Sequence, residues 1–229
     1  MQNPKRAYSS GGQERPVTFD NVELFPITAS VNAADHLVLG GCDTVDLASR
    51  FGTPLYVYDE RTIRETCQGF VQEFGSRYPN TQVVYASKAY INPALAKLLD
   101  EEGLGMDVVS GGELAVAQAV GFPSDDLSFH GNNKTRDELQ LALECKVGRI
   151  VVDSFHELDL LDRIAGDAGK VQDVLIRVSP GVDPHTHVHT TTGILDTKFG
   201  FSMETGAAEQ DLFMVPQPLA DRFSDPRPH

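Results

Sequence analysis

The feature that most constrains the fold is a regular alternation of short apolar runs with helical segments over residues 82–181. Each run is too short for a helix and nearly continuous in apolar residues, as is typical of strands covered on both faces. Strands and helices that alternate in this way predict a parallel sheet. The five predicted strands are QVVYASKA, GMDVVS, LSFHG, RIVVDS and DVLIRVSPG.

The segments that separate these strands have apolar residues at helical spacing, so they predict the helices PALAKLLDEEG, GGELAVAQAVG, TRDELQLALECKVG and FHELDLLDRIAGDAG. Asn92 and Pro93 are typical of an N-cap and a first helical position. Upstream, a strand over TPLYVYDE and a helix over RTIRETCQGFVQEFG are predicted, and Gly75 ends that helix. The repeat of roughly 22 to 25 residues favours a (β/α) barrel, although a doubly wound open sheet has the same alternation.

Polar or conformationally special residues follow every strand of this repeat. The carboxyl ends of barrel strands gather on one face, where barrel enzymes build their active sites, so the pattern favours the barrel. The residues are Ser87 and Lys88, Asp107 and Ser110, residues 130–133, Asp153 and Ser154, and residues 177–181.

Lys88 stands at the end of an apolar run, where a lysine is unusual because its charge is rarely buried. Val84, Ala86 and Lys88 alternate onto one strand face, which places the amine at the mouth of the predicted barrel. A desolvated lysine beside other polar groups can lose its proton and attack an aldehyde. The alternative is a lysine that extends its charge from a strand end into solvent.

Two further strand ends carry candidate functional residues. In GMDVVSGGEL, Asp107 lies within an apolar strand and Glu113 opens the helix that follows the turn at 111–112. A glycine turn into a helix N-terminus can bind an anion, or Glu113 can simply complement the helix dipole. His130, the first residue of HGNNK, ends a strand, and an ordinary βα turn explains this motif equally well.

Three histidines follow the last predicted strand, in PHTHVHTTTG: His185, His187 and His189. On a strand they would share one face and suggest zinc, but no nearby cysteine or suitable carboxylate completes a ligand set. We therefore predict a polar loop over the barrel mouth, and no metal. The segment TGILDTKFGF, residues 192–201, carries Asp196 and Lys198 and by itself predicts only a loop.

The composition excludes several classes of function. The net charge is -14 and no basic block is present, so nucleic acid is not an expected partner. The N-terminus has no apolar core of a signal peptide, and no apolar run reaches the roughly 18 residues of a membrane span, so no membrane partner is expected. Three dispersed cysteines suit a reducing compartment, which predicts a cytoplasmic protein.

The motifs YASKA, GMDVVSGGEL, HGNNK, VDSFHEL, RVSPGVDPHTH and TGILDTKFGF occur in one order. Together they resemble the diaminopimelate decarboxylases, which belong to the alanine racemase/ornithine decarboxylase-like class of pyridoxal-phosphate enzymes. The resemblance covers residues 53–206. The forms of the HGNNK and DTKFGF motifs favour this family over ornithine or arginine decarboxylases.

The resemblance implies an α/β fold, a (β/α)8 TIM-type barrel of which this chain holds about five strands, with a β-domain and a homodimer in the full-length family. It implies pyridoxal 5'-phosphate held as an imine on Lys88, the one catalytic residue. Asp107 and Glu113 match acidic positions near the cofactor, and Arg177 matches an arginine that approaches its ring. His130 lies at the same mouth and is counted with them as cofactor-binding.

The chemistry that the resemblance implies is the decarboxylation of meso-2,6-diaminopimelate to L-lysine and CO2, the last step of lysine biosynthesis. The substrate amine displaces Lys88 from the imine, loss of CO2 leaves a carbanion that the cofactor accepts, and a proton returns to the same carbon. Two alternatives stay open: another basic amino acid decarboxylase of the same fold, or a non-catalytic fragment that binds pyridoxal phosphate or a protein partner.

The sequence departs from the family after residue 206, where four prolines interrupt the tail, at 216, 218, 226 and 228. We therefore predict a C-terminally truncated chain, whose tail resembles a shifted reading frame or an unrelated end. By the resemblance it would lack the remaining barrel strands, the glycine-rich phosphate loop and the dimer-shared residues, so we expect at most a weak Lys88 imine and no decarboxylation. The predicted segments are a flexible N-terminus (1–16), part of the β-domain (17–58), a partial barrel (59–206) and an atypical tail (207–229).

Overall fold

The computed structural model describes residues 15–16, 22–181, 199–203 and 205–206. Several predicted segments lie outside the described residues: most of the N-terminal segment, the three histidines of residues 184–193, residues 192–198 and the tail after residue 206. The chain divides into two compact units, residues 1–81 and 82–229. The boundaries predicted from the sequence, after residues 16, 58 and 206, differ from this division into two units and stay predictions.

The first unit contains a small antiparallel sheet and two helices. The strands follow one another in sheet order: β1 (Arg15–Pro16), β2 (Ser30–Val31), β3 (Leu37–Leu39) and β4 (Cys42–Asp43). The helices are α1 (Thr44–Phe51) and α2 (Glu60–Gly75), with a short 3-10 turn at Val22–Leu24. Aspartates cap both helices, because Asp43 accepts the amide of Val45 at 2.8 Å and Asp59 accepts that of Thr62 at 2.8 Å.

The predicted strand over TPLYVYDE is wrong. No described strand pairs with residues 53–59, and Leu55, Tyr56, Val57 and Tyr58 are exposed. The β-branched and aromatic residues of this segment have high strand propensity, but propensity reflects packing in a sheet and does not create one. Without a hydrogen-bonded neighbour among the described strands, the segment is irregular, while the helix after it forms as predicted.

The second unit is a parallel sheet with a helix after each of its first four strands, as the alternation predicts. The strands are β5 (Val84–Ala86), β6 (Gly105–Val108), β7 (Leu127–Phe129), β8 (Arg149–Val152) and β9 (Val174–Ile176). The helices are α3 (Pro93–Glu101), α4 (Gly111–Val120), α5 (Arg136–Glu144) and α6 (Phe155–Asp167), with 3-10 turns at Ser87–Ala89 and Ser124–Asp126. A short β10 (Val178–Ser179) pairs in parallel with β11 (Phe201–Ser202).

The order of the strands decides between the two architectures that the alternation left open. In the sheet they follow the order of the sequence, β5-β6-β7-β8-β9, without the reversal that defines a doubly wound sheet. Sequential parallel strands with intervening helices form an arc of a (β/α) barrel, which confirms the predicted fold class. The arc of described strands is not closed.

The core of this unit lies around the middle of the arc. Met106, Val108, Leu127, Phe129 and Ile150 on the three central strands are fully buried, whereas the edge strands β5 and β9 expose Val84 and Leu175. Gly148 allows the turn before β8 to pass close to its neighbour, since a Cβ there would lie 2.3 Å from the carbonyl oxygen of Asp125. Among the described helices, none is long and apolar enough to cross a membrane.

Candidate functional site

Lys88 lies at the carboxyl edge of the sheet, but on a 3-10 turn and not on the strand that the alternation predicts. Strand β5 ends at Ala86, and Ser87–Ala89 form the turn. The buried hydroxyl of Ser87 donates to the carbonyl of Asp107 at 2.6 Å and contacts the carboxylate of Glu113. Ser87 therefore anchors the turn, while Lys88 is exposed and no described residue forms a hydrogen bond or ion pair with its amine.

Asp107 and His130 follow neighbouring strands and are brought together. The Nε2 atom of His130 lies 3.3 Å from Oδ1 of Asp107, and both side chains are about one-third exposed. The backbone amide of His130 donates to the carbonyl of Val108 at 2.8 Å, which fixes the end of β7 against β6. The acid and the imidazole thus face the carboxyl edge as a pair that can hold or pass a proton.

Glu113 caps the start of α4, and this decides between the two interpretations of the glycine turn. Its carboxylate accepts the amide of Val109 at 2.8 Å, and the carboxylate of Glu138 accepts the amide of Gly111 at 3.0 Å. Ser110, the N-cap, accepts the amide of Glu113. A carboxylate and a hydroxyl thus already use two amides of the first turn, those of Gly111 and Glu113, which favours capping. The cofactor-binding role of Glu113 stays a prediction.

Arg177 lies between β9 and β10, at the far end of the arc from Lys88. Its guanidinium nitrogen Nη1 is 3.0 Å from Oδ2 of Asp153, and the guanidinium stacks 4.2 Å above the ring of Phe199. The Asp153 side chain is almost fully buried and also accepts the amide of Gly200. Asp153 therefore fixes the arginine and connects β8 to the segment that contains β11.

A buried ion pair lies beneath this edge, between Lys134 of the HGNNK motif and Glu157 of the VDSFHEL motif. The lysine Nζ is 2.8 Å from Oε1 of the glutamate, and the side chains are only 1% and 6% exposed. Burial raises the pKa of Glu157 more than the neighbouring ammonium lowers it. The sequence placed Asp153 at this edge without giving it a role, and it assigned neither Lys134 nor Glu157, which lie five residues beyond the ends of β7 and β8.

The predicted site residues thus share one edge but are not all in contact. Asp107 contacts His130, Glu113 reaches the turn of Lys88 through Ser87, and Arg177 is held by Asp153. Lys88 follows the first strand of the arc and Arg177 the last, so the residues extend along the whole carboxyl edge. In the part of the chain that the structure describes, no cluster of three metal-binding side chains occurs.

These residues fit the reactive half of pyridoxal phosphate. A pyridoxal aldehyde needs an accessible amine, which Lys88 supplies, and its ring needs charged or hydrogen-bonding groups, which Asp107, His130 and Arg177 supply at the same edge. At the N-terminus of α4, the carboxylate of Glu138 holds the amide of Gly111 and the hydroxyl of Ser110 holds that of Glu113, which disfavours this turn as the phosphate site. The described residues therefore offer groups for the aldehyde and for the ring.

Comparisons with known proteins identify the family of the chain. The chain is 51% identical over 185 residues to the diaminopimelate decarboxylase of Bacillus methanolicus and 50% identical over 190 residues to that of Bacillus subtilis, which covers 81% and 83% of the chain. In each case it spans only 43% of the relative's length. The crystal structure of diaminopimelate decarboxylase from M. jannaschii in complex with L-lysine is similar with a TM-score of 0.73 and 34% identity, over 83% of this chain and 45% of that one.

Residues 60–215 match the family described as pyridoxal-dependent decarboxylase, pyridoxal binding domain. The match covers more than half of the chain and includes every residue predicted for the site. It confirms the predicted cofactor class, since the family is defined by its binding of pyridoxal. The chain therefore belongs to the pyridoxal-dependent decarboxylase family.

Proposed function

We propose that this chain carries the cofactor-binding part of a diaminopimelate decarboxylase, with Lys88 as the residue that holds pyridoxal phosphate. The observation that carries the proposal is the exposed Lys88 amine at an edge where Asp107, His130 and Arg177 also lie. The relatives at about half identity have this activity by name. A homodimer and a β-domain that includes residues 17–58 stay predictions from the resemblance.

Pyridoxal phosphate, when bound, supplies an electron sink for the electron pair left when a carboxylate departs as CO2. The chain's own groups supply attachment, orientation and proton transfer. Lys88 would hold the cofactor through its amine and, once released, would be able to return a proton. The His130–Asp107 pair offers a second proton-transfer group, and Arg177, fixed by Asp153, would offer its positive charge to an anionic oxygen of cofactor or substrate.

The substrate we propose is meso-diaminopimelate and the product L-lysine. The solved structure from M. jannaschii contains L-lysine, which fits a site that recognises a basic amino acid. Among the similar solved structures are also an arginine decarboxylase and a lysine/ornithine decarboxylase, but at 20% and 22% identity they show a shared fold only. The higher identity to diaminopimelate decarboxylases therefore favours meso-diaminopimelate as the substrate.

Covalent trapping tests the role of Lys88. The purified chain is mixed with pyridoxal phosphate and treated with borohydride, which reduces the bond between amine and aldehyde, and the modified lysine is identified by peptide mass spectrometry. We expect the adduct on Lys88 and its loss in Lys88→Ala. The matched control is Lys97→Ala on α3, an exposed lysine whose removal should leave the yield unchanged. Equal labelling of Lys88→Ala would refute the assignment.

The same assay tests the substrate. An amino acid that occupies the site takes the aldehyde from Lys88, so it lowers the yield of the Lys88 adduct before reduction. We expect meso-diaminopimelate to act at lower concentration than ornithine or arginine, and the reverse order would favour the other basic amino acid decarboxylases. CO2 is measured in the same samples, and sustained release would overturn the expectation from the sequence that the chain does not decarboxylate.

A further inference from the structure

We propose that the buried ion pair of Lys134 and Glu157 positions both His130 and Arg177. The inference rests on the proposed function only where the yield of cofactor trapped on Lys88 is used to test it. The two side chains lie under the carboxyl edge, from the loop after β7 and the first turn of α6. Neither reaches the edge itself, so they are positioning residues and not catalytic ones.

Burying two charges costs free energy, so we ask what the pair contributes in return. Removing two charges from water costs several kcal/mol for each ion, and the attraction between them often does no more than offset that cost. A pair of apolar side chains of similar volume would hold the same space without this desolvation. The contacts that Lys134 and Glu157 make with the polypeptide backbone are what an apolar pair could not make.

One set of these contacts leads to His130. The ammonium of Lys134 donates to the carbonyl of Gly131 at 2.6 Å and to the carbonyl of Val151 at 2.8 Å. Gly131 directly follows His130 and has φ of +112°, a conformation that few other residues adopt. Lys134 thereby ties the turn that presents the imidazole to the end of β8, the neighbouring strand.

A second set of contacts leads to Arg177. The other carboxylate oxygen of Glu157 accepts the backbone amide of Asp153 at 3.2 Å. Asp153 in turn binds the Arg177 guanidinium at 3.0 Å and the amide of Gly200. The ion pair thus contacts the turn after β7 and the end of β8 directly, and it reaches Arg177 after β9 through the side chain of Asp153. Loss of the Lys134 charge releases the carbonyl beside His130, and loss of the Glu157 charge releases the amide of the residue that binds Arg177.

The test compares three variants of the full 229-residue chain: Lys134→Met, Glu157→Leu and the double variant. The double variant is decisive because it leaves no unpaired buried charge, so it separates positioning from folding. Lys170→Met is the matched control, since Lys170 also donates to a backbone carbonyl, that of Leu143 at 2.8 Å, but is exposed before β9. Unfolding temperature, the side-chain NMR signals of His130 and Arg177, and the yield of cofactor trapped on Lys88 are measured for each.

If the pair positions His130 and Arg177, we expect the double variant to unfold near the temperature of the Lys170→Met control. The NMR signals of His130 and Arg177 should shift, and the trapping yield at limiting cofactor should fall roughly tenfold. A double variant with unchanged signals and yield would overturn the proposal. So would failure of all three variants to fold, which would assign the pair to the stability of the sheet. If the unaltered chain traps no cofactor on Lys88, the proposed function fails, and the two NMR signals still decide the positioning role.

Discussion

Two glutamates of the second unit show how local contacts set the charge of a residue. Burial raises the pKa of Glu157 more than Lys134 lowers it. At Glu138 burial also raises the pKa, but hydrogen bonds from Thr135 and from the amide of Gly111 outweigh it, so the pKa is lowered. Hydrogen bonds to a carboxylate favour the charged form, and desolvation opposes it, so the balance differs from residue to residue.

The raised pKa of Glu157 predicts a specific dependence of stability on pH. Above the ordinary value of 4.5 and below the pKa in the folded chain, the folded state binds more protons at Glu157 than the unfolded state. The contribution of Glu157 to the free energy of unfolding therefore falls as pH rises through this window. Urea unfolding of the chain and of Glu157→Gln at a series of pH values measures it.

The difference in unfolding free energy between the two proteins isolates Glu157, because the other titrating groups are common to both. We expect the difference, chain minus variant, to decrease from pH 4.5 upwards. A difference that increases over this range would mean that Lys134 dominates, and that the pKa of Glu157 is lowered and not raised.

At the scale of elements, three helices repeat one device at their N-termini. Ser110, Thr135 and Ser154 are the N-caps of α4, α5 and α6, and each is followed three residues later by a glutamate. Each glutamate also reaches the preceding βα turn: Glu113 contacts Ser87, Glu138 accepts the amide of Gly111, and Glu157 pairs with Lys134. The caps therefore join consecutive turns along the edge that carries the site.

The capping box of α5 gives the clearest test at this scale. Thr135 accepts the amide of Glu138 at 3.2 Å, and the carboxylate of Glu138 accepts the amide and the hydroxyl of Thr135 at 2.9 Å. Thr135→Ala removes both hydroxyl contacts, so we expect a loss of about 1 kcal/mol in the free energy of unfolding and faster hydrogen exchange in the first turn of α5.

The control for this prediction is Thr66→Ala, at an exposed position in the interior of α2. Its hydroxyl donates only to the carbonyl of Thr62 within the same helix. The free energy of unfolding should then change by no more than about 0.5 kcal/mol. Equal effects of the two substitutions would show that the cap of α5 contributes little.

For the whole molecule, the distribution of burial across the arc determines where a substitution matters. The central strands of the second unit are covered on both faces, as the continuous apolar runs predict, while the edge strands are partly open. Two valines mark the extremes, since Val108 on β6 is fully buried and Val171 before β9 is 82% exposed. They allow the same substitution to be compared in two environments.

We expect Val108→Ala to lower the free energy of unfolding by about 2 kcal/mol, from the lost apolar contact and the cavity that remains. Val171→Ala should change it by less than about 0.5 kcal/mol. Denaturant unfolding, followed by a signal from the second unit, measures both values. A small effect at Val108 would indicate that the sheet collapses around the cavity or that the core is loosely packed.

The sequence by itself determined the helices from residue 60 onwards, the five parallel strands and the edge on which polar residues gather, and it predicts Lys88 as the cofactor lysine. These follow from interactions between residues close in the chain: apolar periodicity, caps and breakers. It misplaced Lys88 on a strand and predicted a strand at residues 53–59, because strand propensity says nothing about which neighbour is present to pair with. Only the tertiary structure decided the sequential strand order, the capped glycine turn of α4, and the links of Lys134 to Glu157 and of Asp153 to Arg177. Those contacts join residues 23 and 24 positions apart, in the segments that follow neighbouring strands. Their partners are fixed by sheet register and burial, which no local pattern encodes.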